Sequence, residues 1–105
     1  METEKQKVNR ELNRLRDYGY KVHHFSDKKK IVTKDWVDHV VHNHRFFLCI
    51  EDKFKETNDK LSEGQKETAS KLSSVAVFNK DFDYKRIGGV DDAKRIVENL
   101  LKGRL

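Results

Sequence analysis

The sequence predicts an α/β (α+β) fold in which helices surround one mixed central sheet. Three observations support it: a helical pattern at each end of the chain, three short β-branched and aromatic runs in the first half, and a further helical segment after them. The chain has 105 residues, of which 35% are hydrophobic, and a mean hydropathy of −0.93. It therefore has room for a single domain, residues 1–105, with one modest core.

The first predicted helix covers about residues 3–18. Its apolar positions recur at helical spacing and would face inward: Val8, Leu12 and Leu15. Gly19 is suited to end this helix, because glycine adopts the left-handed conformation at little cost. Residues 20–25 then read as the first strand. Glu11 lies one turn before Leu15, where its carboxylate would either reach a shared metal site or pair with Arg14 at the surface.

Residues 37–41 and 46–50 are predicted to form a β-hairpin, since both runs have the composition of strands. A two-residue turn at 43–44 would place His42 opposite Arg45. A slip of one residue would send every side chain of one strand to the other face, so the predicted face depends on this register.

The hairpin carries the residues with the clearest chemical potential. In the predicted register Asp38 lies opposite Cys49 and diagonal to Glu51, and Asp38, Glu51 and Lys53 share one face. Two or three hard oxygen ligands can hold Mg²⁺, and a nearby lysine can orient water or offset charge on a phosphate. Phosphodiester hydrolysis is therefore one interpretation, and solvated surface charge is the other, in a chain that is 39% charged.

The second half of the chain predicts two further helices and a strand. Ser62 and Gln65 fit a capping box, and the stripe that follows would turn Gln65 toward the sheet. Residues 75–78 read as a short buried strand and residues 81–85 as an irregular loop. The last helix is predicted over 90–102, where acidic residues open it and a glycine follows it.

This order, helix, three strands, helix, strand and helix, resembles the PD-(D/E)xK nuclease superfamily. More narrowly it is similar to stand-alone phage proteins of the virus-type replication-repair nuclease family (VRR-Nuc). The motifs that carry the resemblance are Ile50-Glu-Asp-Lys53 and Lys60-Leu-Ser-Glu-Gly-Gln65. Val37 stands where the family has proline, and residues 78–80 stand where relatives often have arginine or serine.

The resemblance implies a restriction-endonuclease-like fold and a metal-dependent DNA endonuclease. It implies Mg²⁺ or Mn²⁺ held by Glu11, Asp38, Glu51 and the backbone carbonyl of Asp52. The catalytic residues would be Lys53, which assists attack, and Gln65, which supports the site. Branched DNA such as a four-way junction would be the substrate, and a homodimer the active form.

Charge agrees with a polyanionic partner, since the net charge is +5 and the sequence pI is near 9.3. Candidate phosphate contacts are the basic residues near the proposed site: Lys28, Lys29, Lys30, Lys55 and Lys60. The alternative for such runs is a solubilising loop.

Two other functions fit parts of the sequence. A nuclease-fold protein of phage type could bind nucleic acid or a host protein without catalysis. A zinc module built from the histidines is a weaker alternative, because Cys49 is the only cysteine. A single cysteine, and the lack of an apolar run of signal-peptide or membrane-spanning length, predict a cytoplasmic protein of a bacterium or phage-infected cell.

Overall fold

The computed structural model describes residues 1–25, 35–54 and 61–103 of the chain. Three helices and four strands make a compact α+β structure, as the sequence predicted. In chain order the elements are α1 (Glu4–Asn13), a 3₁₀ helix (Arg14–Tyr18), β1 (Lys21–His24), β2 (His39–His42), β3 (Phe47–Asp52), α2 (Glu63–Phe78), β4 (Phe82–Ile87) and α3 (Val90–Leu101).

The four strands form one mixed sheet in the order β1-β2-β3-β4. The pairs β1–β2 and β2–β3 are antiparallel, and β4 runs parallel to β3. A parallel pair needs a crossover connection, and α2 supplies it. No helix in the described ranges is long and apolar enough to span a bilayer.

Helices α1 and α3 cover one face of the sheet and build the main core. The capping box of Thr3 and Gln6 starts α1, and Gly19, with φ of 88°, follows the 3₁₀ helix. Both helices turn an apolar stripe toward the strands. The buried members are Val8, Leu12, Leu15, Val22, Val41, Leu48, Ile50, Phe54, Ile87, Ala93, Ile96, Val97 and Leu100.

Helix α2 lies on the opposite face, over a much smaller cluster. The buried members there are Val37, Val40 and Cys49, with Leu72 and Tyr84 among the partly buried residues packed against them. None of the residues of α2 is itself buried. This face therefore has a thin apolar layer beside the polar residues of the hairpin.

The hairpin register differs from the predicted one. Asn43 accepts hydrogen bonds from the backbone N–H groups of Arg45 and Phe46, so the turn takes four residues and His42 pairs with Phe47. An Asn side chain that bonds its own backbone in this way favours a longer turn. The displacement is two residues, an even number, so Asp38 keeps its predicted face.

Two predictions for the second half were wrong. Residues 75–78 form the last turn of α2 rather than a buried strand, and Val77 and Phe78 are 77% and 90% exposed. The fourth strand is Phe82–Ile87, most of which the sequence assigned to a loop. Helix α2 ends at Phe78, with Asn79 as its C-cap. β4 is an edge strand with several charged residues, a composition that is not typical of strands.

Candidate active site

Asp38 and Glu51 meet where the hairpin strands end. The β2–β3 register pairs His39 with Ile50, and the Asp38 N–H donates to the Ile50 carbonyl at 3.0 Å. Continuing this ladder by one residue places Asp38 beside Glu51. Both residues are buried, with exposures of 8% and 2%. A buried carboxylate is costly unless other groups pair with it, so the groups that contact Asp38 and Glu51 are part of the site.

The Asp38 carboxylate contacts groups from different parts of the fold. Its Oδ2 accepts a hydrogen bond of 2.8 Å from the backbone N–H of Asp52. Its Oδ1 lies 3.7 Å from Nζ of Lys5, on α1. The first contact extends the β-ladder through a side chain and ties Asp38 to the peptide that follows Glu51.

The Glu51 carboxylate contacts both residues that the sequence assigned to catalysis. Gln65 donates from Nε2 to Glu51 Oε1 at 3.1 Å, which confirms its predicted orientation toward the sheet. Nζ of Lys53 lies 3.9 Å from the same oxygen. Gln65 also accepts from the Ser62 N–H at 3.0 Å, so the capping box fixes the direction of its amide.

The start of α2 lies close to the segment before β2. A Cβ on Gly64 would lie 1.9 Å from Oδ2 of Asp35, so only glycine fits there without a shift. Asp35 itself has φ of 66°, in the left-handed region that Asp tolerates better than most residues. The first turn of α2 therefore lies close to this segment.

The Asp52 side chain enters a polar network under α1. Its Oδ2 lies 2.7 Å from Nε2 of the fully buried His39 and 3.7 Å from Nζ of Lys5. Nδ1 of His39 lies 2.8 Å from Nδ1 of His24, and Nε2 of His24 lies 2.7 Å from Oδ1 of Asn13. Asp52 Oδ1 is buried and has no hydrogen-bond partner among the described residues.

This network was missed by the sequence reasoning, which assigned only a backbone carbonyl to Asp52 and no role to Lys5. Strand alternation does place His39 on the face opposite Asp38. No local pattern, however, indicates that Lys5 would reach the hairpin, because that contact depends on how α1 packs across the sheet.

The site contains carboxylates and cations in similar number. The carboxylates of Asp38, Glu51 and Asp52 lie near the ammonium groups of Lys5 and Lys53, and Arg86 pairs in register with Glu51. Within the described ranges no three His, Cys, Asp or Glu side chains are arranged to hold a metal. Mg²⁺ nevertheless needs only one or two carboxylates, because it keeps waters and takes substrate phosphate oxygens. The residues present fit a magnesium-type ion of this kind.

The surroundings favour neutral forms of the neighbouring titratable groups. Burial, followed by the charge of Glu51, raises the pKa of Tyr84 to about 12. Burial raises the pKa of the Cys49 thiol to about 12. Both lie in the cluster below α2, so this face stays free of ionised thiol and phenol near neutral pH. Arg86 pairs in register with Glu51 on β4, a neighbour that the sequence did not single out.

The remaining predicted residues have different outcomes. The Glu11 carboxylate pairs with Arg14, the alternative that the sequence left open. Glu11 lies six residues, about 9 Å of helix, beyond Lys5, and its metal-binding role stays a prediction. The phosphate contacts predicted for Lys28, Lys29, Lys30, Lys55 and Lys60 lie outside the described residues.

Comparison with protein-family models, with curated proteins and with solved structures finds no match for this chain. Interpretation of the site therefore depends on its own residues.

Proposed function

We propose that this chain is a Mg²⁺- or Mn²⁺-dependent DNA endonuclease that hydrolyses phosphodiester bonds, of the PD-(D/E)xK type and similar to VRR-Nuc proteins. One observation carries the proposal: Asp38 and Glu51 meet at the end of the hairpin while Lys53 and Gln65 both contact Glu51. Two acids, a lysine and a supporting amide thus come together from the hairpin and from the start of α2.

The roles of these residues are proposed from their contacts and from the family resemblance. Asp38, Glu51 and the Asp52 carbonyl would hold the metal, which supplies charge neutralisation on the phosphodiester. Lys53 orients the attacking water or offsets negative charge that develops on the phosphate. Gln65 keeps Glu51 oriented, and the Asp52 N–H does the same for Asp38. Preorganised donors and charges of this kind lower the barrier without moving during the reaction.

Branched DNA, in particular a four-way junction, is the proposed substrate because of the family resemblance. A homodimer would suit such a substrate with two strands to cut. An apolar surface supports the homodimer, since the large side chains of Val75, Val77 and Phe78 on α2 are exposed. The proposed setting is the cytoplasm of a bacterium or a phage-infected cell.

The decisive experiment is cleavage of labelled linear, nicked and four-way-junction DNA with Mg²⁺, Mn²⁺ or EDTA. We expect metal-dependent cutting by the wild-type protein and a loss of about a hundredfold or more in Lys53→Ala, the range for a missing acid–base or electrostatic group. Lys66→Ala is the matched control, since Lys66 on α2 is an exposed lysine whose ammonium group pairs with Glu63. Equal cutting by wild type and Lys53→Ala would refute the proposal.

A second candidate function is a binder of nucleic acid or of a host protein that retains the nuclease fold without activity. The observation that favours it is the position of Lys5, whose ammonium group lies 3.7 Å from both Asp38 and Asp52 and partly balances them without a metal. Such a binder would show no cleavage under any metal. It would also keep its affinity for the partner when Asp38 and Glu51 are both changed to Ala.

A further inference from the structure

A cleft of about 230 Å³ opens between β4 and α3, and we call it the β4 cleft. Within the described chain, β4 pairs only with β3 and is an edge of the sheet. The polar side chains of the lining are three cations, one carboxylate and one amide: Lys85, Arg86, Arg95, Asp92 and Asn99. The lining thus has an excess of positive charge.

The β4 cleft begins beside the candidate active site. The parallel register pairs Glu51 with Arg86 and Asp52 with Ile87, and Arg86 and Ile87 both line the cleft. Neighbouring strands are about 4.8 Å apart, so the backbone of the β4 wall lies one strand spacing from the backbone of Glu51. Glu51 faces α2 and the cleft faces α3, so a nucleic-acid strand that passes Asp38 and Glu51 would reach the cleft around the edge of β4.

Two cations of the cleft have partners that leave them accessible. Lys85 lies 3.4 Å from Asp83 and its side chain is 44% exposed. Arg95 pairs with Asp92 and its side chain is 69% exposed. Asp92 also accepts a hydrogen bond of 2.7 Å from the Gly88 N–H. Exposed ion pairs contribute at most about 1 kcal/mol, so these pairs do not prevent contact with a phosphate.

We propose that the β4 cleft binds backbone phosphates of the nucleic-acid strand that passes through the active site, an inference that rests on the proposed nuclease function. The side chains that line the cleft are charged, amide or aliphatic, and none is aromatic. Cations and amides contact phosphates, whereas bases are held by stacking on rings or by hydrogen bonds to their edges. Binding in the cleft is therefore independent of base sequence and sensitive to salt.

The test compares two double variants that remove the same charge. Lys85→Gln with Arg95→Gln changes the cleft, and Lys66→Gln with Lys71→Gln changes α2, where both lysines are exposed and ion-paired in the same way. Binding of a short fluorescein-labelled DNA duplex and of its separate strand is measured by anisotropy in EDTA over a series of salt concentrations.

We expect the cleft variant to bind about tenfold or more weakly. Its slope of log K against log salt should shrink by about 2, because each phosphate that is no longer neutralised removes about 0.9 from the slope. The α2 variant should change affinity by less than about twofold, which net charge alone explains. The exchange Lys85→Arg with Arg95→Lys should restore binding, because it keeps both charges. Urea midpoints of all variants verify the fold.

Equal weakening by the two double variants, or no binding of either probe by the wild-type protein, would overturn the cleft proposal. Because binding is measured without divalent metal, its outcome is separate from that of the cleavage assay. A wild-type protein that never cuts DNA but loses affinity only in the cleft variant would refute the nuclease and retain the cleft. A protein that cuts DNA but binds equally well in both variants would refute the cleft alone.

Discussion

The two faces of the sheet differ in what they contribute. The face under α1 and α3 buries a continuous apolar cluster that includes Leu12, Leu48 and Val97, all 0% exposed. Among the described residues, the face under α2 buries three apolar side chains, and α2 has no buried residue of its own. Burial of apolar area is the main favourable term in folding, so the first face holds the fold together.

The difference shows that a helix can contribute by placing one polar side chain rather than by burying apolar area. α2 has only a thin apolar contact with the sheet, but its capping box orients Gln65 onto Glu51. Gly64 brings the same helix end close to Asp35. α1 differs from α2 in this respect. Its main contribution is apolar packing, and among the described residues Lys5 is the α1 side chain that contacts the carboxylate of Asp38.

The largest expected contrast between the faces is in stability. Leu12→Ala should lower the free energy of unfolding by about 2–5 kcal/mol, because it removes a fully buried side chain and leaves a cavity. Leu72→Ala, the same change on α2, should cost less than half as much because Leu72 is only partly buried. Urea unfolding at 25 °C measures both values. Equal losses would show that the α2 face is as important to the fold as the α1 face.

A smaller effect is expected from a change of Gln65, in the first turn of α2. Gln65→Glu keeps the capping box, since Glu serves at that position, but it places a second carboxylate where an amide now donates to Glu51. We expect cleavage to fall by about tenfold, because a repelled Glu51 loses an interaction worth about 1.4 kcal/mol. The urea midpoint should also fall, because the buried Glu51 carboxylate loses its donor and gains a like charge.

Ser62→Ala is the complementary control for that change. It removes the hydroxyl that accepts from the Gln65 N–H at 3.2 Å and should cost about 1 kcal/mol of stability. The Gln65 side chain keeps its contact with Glu51, so cleavage at a temperature where the variant is folded should be close to wild type. If Ser62→Ala lost as much activity as Gln65→Glu, the two roles would be inseparable.

A further contrast is the response of the α2 face to alkali. The pKa values of Cys49 and Tyr84 are raised from 9.0 and 10.0 to about 12 in the folded protein. The unfolded chain therefore loses these protons first, and stability falls as pH rises from about 9 toward 12. Below pH 9 neither group contributes to the pH dependence.

Cys49→Ala tests this directly, because it removes the cysteine's part of the titration. We expect its free energy of unfolding, measured in urea from pH 8 to pH 11, to fall less steeply with pH than that of the wild type. The difference between the two slopes should correspond to about one proton at most. Tyr84→Phe should have a weaker effect that begins at higher pH. Parallel curves for Cys49→Ala and wild type would contradict the assignment.

The smallest expected effect on stability is at the exposed end of α2. Phe78 is 90% exposed, so Phe78→Ser should change monomer stability by no more than about 0.5 kcal/mol. In the proposed homodimer the same change should weaken association, which sedimentation velocity over a range of concentrations detects. A wild-type protein that sediments as a monomer throughout would refute the dimer.

Much of the fold was predictable, because it depends on short-range patterns. Helical periodicity indicated α1 and α3, and the Ser62 and Gln65 pair indicated the start of α2. The predicted strand at 75–78 and the predicted loop at 81–85 were wrong, because the local composition of each segment favours a structure other than the one it adopts. Only pairing with β3 makes residues 82–87 a strand.

For the site, the sequence alone determined which side chains share the hairpin face, since alternation along a strand survives a two-residue change of register. It also determined that Gln65 would turn toward the sheet, because Gln65 lies at the N-terminal end of the apolar stripe of α2. The tertiary structure decided that Lys5 reaches Asp38, that His39 holds the Asp52 carboxylate, and that Arg86 lies beside Glu51. These contacts join elements far apart in the chain, and packing and sheet order, which no local pattern encodes, bring them together.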